Sequence, residues 1–447
     1  MLKYVTLRNP NTANMLDQSD QRNDQTMQIK KLNLTTLARV LSLAFAVPLF
    51  SGLTHNEAQA LTYQERQKLD LRSYEVTDPD ASYFNVDKRI NELQNTHNSI
   101  LIGLKDKLQL GQSCRYLLSI PPLDKEIRIP GFYPKPDAWE RATEPLFQFE
   151  DIVSSLAGNY VATMGDAYYG RCLIQFLNKW AESEALVDFY YSGQDKQGDG
   201  QAWYSTESMI FAAAMAYSVV RPRIEGMEQE KTTIDKWLNL LAHNHSSIIG
   251  GDNGSCCNNH FYRRALYSSI VGILTEDNEL FRYGVSAVYS ALSDLTKDGA
   301  LPLEIQRGRR AVHYQNYALL YLVTNMQVIS RQGYDVFDKE IDGRNISDAV
   351  DFFLTVVEDP AELEGYATQE QYLGFLDDSQ YFTWMEIYLS HFEDSRVNDF
   401  LNQYRPVSNR GAGGHISLYF MDPDAQQLIV LQETVKEKVE LIIPDTE

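Results

Sequence analysis

Residues 262–292, YRRALYSSIVGILTEDNELFRYGVSAVYSAL, decide the fold class. Tyr262, Leu266, Ile270 and Ile273 recur every three or four positions; after the polar step Thr275-Glu276-Asp277-Asn278 the spacing resumes at Phe281, Val285, Val288, Tyr289 and Leu292. Apolar residues so spaced line one face of a 3.6-residue helix, and the stretch predicts two consecutive helices joined by a short turn. The same spacing precedes it at Leu173, Phe176, Leu177 and Trp180, and follows it at Tyr317, Leu320, Tyr321 and Met326. Residues 206–220, 234–243, 346–356 and 381–392 fit further helices. Gly, Asn, Asp and Pro punctuate the joints, and no sustained alternation marks a sheet, so the body is expected to be all-α. Heptads are not sustained, which argues against a coiled coil.

The flanks read differently. Residues 61 to about 145 include the Pro-rich runs Ile120-Pro121-Pro122-Leu123 and Gly131-Phe132-Tyr133-Pro134-Lys135-Pro136; they are expected to be loop-rich, with one helix over 87–108. At the other end, 428–443 alternates β-branched and charged residues, as a strand or an appended tail would. Residues 27–60 carry the marks of an export signal: Lys30 and Lys31, an apolar run from Val40 to Leu53, and the A-x-A box Ala58-Gln59-Ala60. Met27 is the expected start and Leu61 the expected mature N-terminus, with the product periplasmic or secreted. The apolar run is broken by Pro48 and falls short of the roughly 20 residues a membrane span needs, so stable membrane insertion is not expected. The chain thus divides into 1–60 (extension and signal), 61–425 (catalytic body) and 426–447 (tail).

Hydrophobic residues at 44% and charged residues at 23% exclude global disorder. The net charge of −21 becomes −23 once the six basic and four acidic residues of 1–60 are set aside, which argues against nucleic acid as a partner. Four cysteines form an even set that an oxidising compartment lets pair. Cys256 and Cys257 are adjacent, leaving Cys114 and Cys172 as a second couple; the alternative is two free thiols beside a loop. His260 lies three residues after Cys257, but no further pair at zinc spacing accompanies them.

Two segments concentrate chemistry. Cys256-Cys257-Asn258-Asn259-His260-Phe261-Tyr262 places a histidine behind two amides at the mouth of a helix, where a rigid element presents polar side chains. A capping Asn with a structural His is the bland alternative. Asp298-Gly299-Ala300-Leu301-Pro302-Leu303-Glu304 runs into Arg307-Gly308-Arg309-Arg310-Ala311-Val312-His313-Tyr314. Seven positions are two helical turns, so on one helix Arg307 and Tyr314 share a face. Three arginines here, in so acidic a chain, are where a polyanion finds its field.

Together these segments resemble the two signatures of the polysaccharide lyase family 5 alginate lyases. Arg310, Ala311, His313, Tyr317, Ala318 and Leu319 extend the second signature; Cys172-Leu173 through Trp180 to Leu186, Trp384-Met385-Glu386-Ile387-Tyr388, and Gly413-Gly414 leading to Asp422-Pro423 agree as well. The similarity covers roughly residues 110 to 423. It implies an incompletely closed (α/α) toroid, one body despite its length, with a deep cleft for alginate. It assigns catalysis to Asn259, His260, Arg307 and Tyr314, substrate contacts to Trp203, Tyr262, Arg263, Arg310, His313, Tyr317 and Trp384, and disulfides to Cys114–Cys172 and Cys256–Cys257. One departure stands out: many members have Trp after the tyrosine of the first signature, whereas this chain has Arg263 followed by Arg264, which removes a stacking platform or adds a carboxylate contact.

The expected reaction explains these residue types. The C5 proton of a 4-linked uronate becomes acidic only when its carboxylate is neutralised, a task suited to Asn259, His260 and Arg307. A base then removes the proton and an acid protonates the departing O4. In mannuronate both lie on one side of the ring, so Tyr314 can serve twice if Arg307 and neighbouring cations lower its pKa from about 10. His260 would serve as base for an epimer whose proton lies on the opposite face. The scheme requires no metal or redox cofactor, and a monomer is expected. Rival readings are a glycoside hydrolase using Glu304 with Asp377 or Asp378, and a non-catalytic polysaccharide binder.

Overall fold

The computed structural model describes residues 60–108, 111–131, 136–191, 200–250, 256–363 and 365–425. The expected export signal up to Gln59, and the 426–447 tail with its alternating segment, lie outside them. Among the described residues there are helices and three isolated bridges but no strand, as the helical spacing requires.

Long helices alternate between two rings. Pro136–Ala162, Gly200–Val220, Asn259–Leu274, Ala311–Ser330 and Thr383–Leu389 pack each against the next to form the inner ring. Ala167–Glu182, Glu228–Ser246, Asn278–Asp294 and Ile346–Glu358 lie outside them. The sequence explains the division. Every residue of Asn259–Leu274, and all of Ala311–Ser330 but the last, is buried, so these helices are covered all round. The outer helices bury one stripe: in Ala167–Glu182, Cys172, Leu173, Phe176, Leu177 and Trp180 face inward while Tyr168 remains half exposed. The two rings meet closely at Gly284, where an added Cβ would lie 1.8 Å from Ser269 Oγ. There Ser269 Oγ donates to Asn325 Oδ1 at 2.6 Å and Asn325 Nδ2 donates to the Gly284 carbonyl at 2.9 Å, tying three helices together.

Three boundaries differ from expectation. Residues 87–108 form two helices, Val86–Asn95 and Ser99–Lys107, because Thr96 leaves the helical conformation and Asn98 caps the second, accepting from the Ile100 and Leu101 N–H groups. The 27-residue helix Pro136–Ala162 begins inside the stretch expected to be loop and carries Pro145 within it. Residues 381–392 shorten to Thr383–Leu389, preceded by the 3-10 turn Ser379–Phe382 that Asp378 caps. Cys114–Cys172 and Cys256–Cys257 are both bridged.

Candidate active site

Three inner helices begin side by side. Trp203 and Tyr204 stand in the first turn of Gly200–Val220, Asn259 and His260 open Asn259–Leu274, and Tyr314 stands in the first turn of Ala311–Ser330. Their positive dipole ends favour an anion between them. The His260 ring stacks on Trp203 at 5.9 Å and 13°, and meets the edge of Tyr204 at 5.2 Å. Asn258 does cap the helix, accepting from the His260 N–H at 3.0 Å, so capping and site-building coexist in this segment.

Glu304 joins the two segments. It sits in the short helix Pro302–Ile305, and its carboxylate accepts the Asn259 backbone N–H at 2.5 Å and the Asn259 Nδ2 at 2.8 Å. Three residues on, the Arg307 guanidinium lies over the Tyr314 ring, 4.1 Å from its centroid. Arg307 and Tyr314 meet, but not as two turns of one helix: Arg307 precedes the 3-10 turn Gly308–Arg310, and Ala311–Ser330 starts only after it. Gly308 has φ +54°, a left-handed conformation that lets the chain turn from Arg307 into that helix.

Burial governs the protonation states. It holds His260 well below the usual histidine value, and Arg264, Arg263 and Arg307 push the same way, so the imidazole is neutral. Glu304 is lifted to about 7 by burial, against the pull of Arg307 and of its hydrogen bonds to Asn259. The expectation for Tyr314 is corrected. Burial pushes its phenol up to about 12, because Arg307 and Arg310 recover only part of the desolvation cost.

The expected substrate contacts separate into two groups. Trp203 lies against His260, and half-buried Arg310 lies over Tyr372 at 4.7 Å, beside Arg307. The others are walls rather than contacts. Arg263, 3% exposed, neither stacks on sugar nor reaches a carboxylate of the polymer. It donates to the Tyr317 and Tyr321 hydroxyls at 2.9 and 3.0 Å and to the Tyr204 carbonyl at 3.0 Å, with Glu207 3.5 Å from its Nε. Arg264 is fully buried, its guanidinium 5.2 Å from the Trp203 ring. Tyr317 spends its hydroxyl on Tyr204 and Tyr321. His313, held at about 3 by burial, is boxed by Tyr314, Tyr317, Phe375 and Tyr381. Tyr262 is buried, and Trp384 is core, its indole N–H donating to Asn316 Oδ1 at 2.9 Å.

Sequence reasoning missed the Glu304 clamp, the Tyr204 edge and the Glu207 counter-charge. Only Glu304 had a local signal, as the acid of a short Pro-initiated turn just before Arg307. A groove of about 1780 Å³, lined by Lys88, Arg331, Glu393, Asp394 and Asp424 among others, contains none of these residues. A smaller pocket lined by Glu150, Tyr204, Ser208, Arg263, Tyr321 and Arg410 adjoins the aromatic wall of the site instead.

Comparison with known proteins agrees with this geometry. The pattern that defines the family described as "Alginate lyase" matches residues 52–363. A polysaccharide lyase of Stenotrophomonas maltophilia is 29% identical over 279 residues, 62% of this chain and 79% of that protein. An alginate lyase of Pseudomonas syringae pv. tomato is 25% identical over 291 residues, 64% of this chain and 74% of that protein. The crystal structure of alginate lyase A1-III from Sphingomonas species A1 superposes with a TM-score of 0.71 at 29% identity, covering 79% of this chain and 99% of that one. A tyrosine-to-phenylalanine variant of alginate lyase A1-III complexed with a tetrasaccharide gives a TM-score of 0.70 at 30% identity, covering 80% and 100%. An (α/α) toroid carrying both signatures in one cleft, matched by the family pattern over more than half its length, belongs to the alginate lyase family.

Proposed function

We propose that this protein is an exported lyase that cleaves mannuronate-rich alginate by β-elimination and leaves a 4,5-unsaturated uronate at the new end. The observation that carries the reading is the Glu304 bridge: it fixes Asn259 beside His260 while Arg307, three residues on, covers Tyr314.

Each group then has a task. Arg307 brings positive charge to the C6 carboxylate, and the Asn259 amide and the neutral His260 ring offer hydrogen bonds as charge builds during loss of the C5 proton. His260, being neutral, supplies a donor rather than a cation, so charge neutralisation falls to arginine. Tyr314 rests as a phenol, ready to protonate the leaving O4; to act as base it must first give up its own proton, and the neutral imidazole is a group able to accept it. Glu304 is spent on Asn259, and Asp378 accepts from Gln380 Nε2 at 2.5 Å while capping its turn, which removes the carboxylate pair a hydrolase would need.

The test is to incubate the processed protein with polymannuronate, polyguluronate and glucuronan and follow ultraviolet absorbance from unsaturated ends. Growth of absorbance on polymannuronate first is expected. Chain shortening without absorbance would replace elimination by hydrolysis.

A further inference from the structure

The A-x-A box places cleavage between Ala60 and Leu61. In the fold, the Leu61 backbone nitrogen donates to Asp294 Oδ1 at 2.7 Å, and Asp294 is 2% exposed. Its other basic neighbour, Arg66, keeps Nη2 4.0 Å from Oδ2. Burial lifts this carboxyl to about 7 despite the Leu61 hydrogen bond and Arg66. A partly compensated buried acid therefore faces the one backbone nitrogen that cleavage at the box would convert from amide to amine.

Arg66 carries that contact toward the catalytic groups. Its Nη1 donates to the Cys256 carbonyl at 2.6 Å, and its Nη2 to the Leu61 and Cys257 carbonyls at 3.1 and 3.3 Å. The same guanidinium lies 4.2 Å from the Phe261 ring centroid. These carbonyls belong to the bridged pair that precedes Asn258, the cap of the helix bearing His260.

We propose that hydrolysis of the Ala60–Leu61 bond is a maturation step read by the fold: the new Leu61 ammonium pairs with buried Asp294 and locks the 61–66 segment onto the Cys256–Cys257 loop behind His260. The proposal rests on the export reading given above. The step is a simple hydrolysis by a leader peptidase: one water is consumed, Ala60 departs with a new carboxylate, and Leu61 keeps the amine. That amine, ordinarily titrating near 8, is protonated at neutral pH beside a carboxylate. One N–H donor becomes three and a dipole becomes a unit charge, which supplies what the buried acid lacks.

The test compares the exported protein with a variant carrying one alanine inserted between Ala60 and Leu61, so that after processing the Leu61 nitrogen is again an amide. Both are also made with Asp294→Asn, and intact mass fixes the N-terminus of every sample. The exported protein should begin at Leu61, melt at least about 2 °C above the insertion variant, and have its α-amine acylated at least about tenfold more slowly near neutral pH. Both differences should vanish with Asp294→Asn; if that variant does not fold, the first comparison decides alone. A different N-terminus, equal melting and acylation in the two forms, or differences that survive Asp294→Asn overturns the proposal. Alginate cleavage assayed on the same samples keeps a failure here distinct from a failure of the lyase assignment.

Discussion

The Arg307 guanidinium meets the face of the Tyr314 ring, 4.1 Å from its centroid, so the cation faces the π cloud of the residue whose proton must move. With the phenol at about 12, only ~10⁻⁵ of it is ionised at pH 7, and this fraction rises tenfold per pH unit. If the phenolate is the base, kcat/KM should climb about tenfold per unit between pH 7 and 9. A profile that is flat or falls across that range would remove Tyr314 as base and leave it only as acid. Tyr314→Phe should cost at least the roughly 10²- to 10⁴-fold typical of a general acid or base while polymer binding persists.

Glu304 acts through Asn259 rather than on substrate. Glu304→Gln keeps the shape but weakens acceptance from two Asn259 donors, and activity should drop by about 10- to 100-fold with little change in melting temperature. Since Glu304 itself titrates near 7, the wild type should show a small kinetic inflection there that the variant lacks. Identical pH profiles in both proteins would show that the clamp does not set the geometry of Asn259.

Arg263 should matter to stability, not to chain-length preference. Arg263→Met removes donors to Tyr317, Tyr321 and the Tyr204 carbonyl and leaves Glu207 without its nearest partner, at a cost of about 3 kcal/mol in urea unfolding. Unchanged stability combined with an altered product length distribution would return Arg263 to the substrate.

Stability against pH follows from two opposed sets of buried groups. Glu150, Glu207, Asp294 and Glu304 are pushed up to about 7 by burial, so each favours folding at low pH and loses that contribution as pH rises through its folded value. His245 and His313 at about 3, His415 at about 4, and His260 are held down by burial, so each favours folding above the ordinary 6.5 and loses it as pH falls. Between about 4.5 and 6.5 the sets offset each other, and below that the histidines act alone. Melting temperature should be flat from pH 5 to 8 and fall steeply under about 4.5; His245→Phe should soften the acid fall. An unfolding profile that improves steadily down to pH 4 would show that the carboxyls dominate.

The fold was legible where helices show one face to solvent. Phe281, Val285, Val288 and Leu292 mark an outer helix cleanly, whereas the buried run Ala311–Ile329 has no polar face to set its phase. The site was legible by residue type more than by position. Asn259, His260, Arg307 and Tyr314 stand together, yet Arg307 reaches Tyr314 through a turn that the seven-residue spacing concealed. Arg263 misled because a lone arginine in a motif reads as a hand for an anion. Its partners Glu207, Tyr204, Tyr317 and Tyr321 are 56, 59, 54 and 58 positions away and meet it only in three dimensions.

The covered inner ring also sets how the protein wears out. Outer helices with solvent-facing backbone can open singly, so their amides should exchange with heavy water well before those of Asn259–Leu274, which is buried along its whole length. Because His260 and Tyr314 ride on such slow-exchanging helices, frayed molecules should keep turning over polymer. Heat inactivation should then track the single global unfolding rate instead of any earlier loosening.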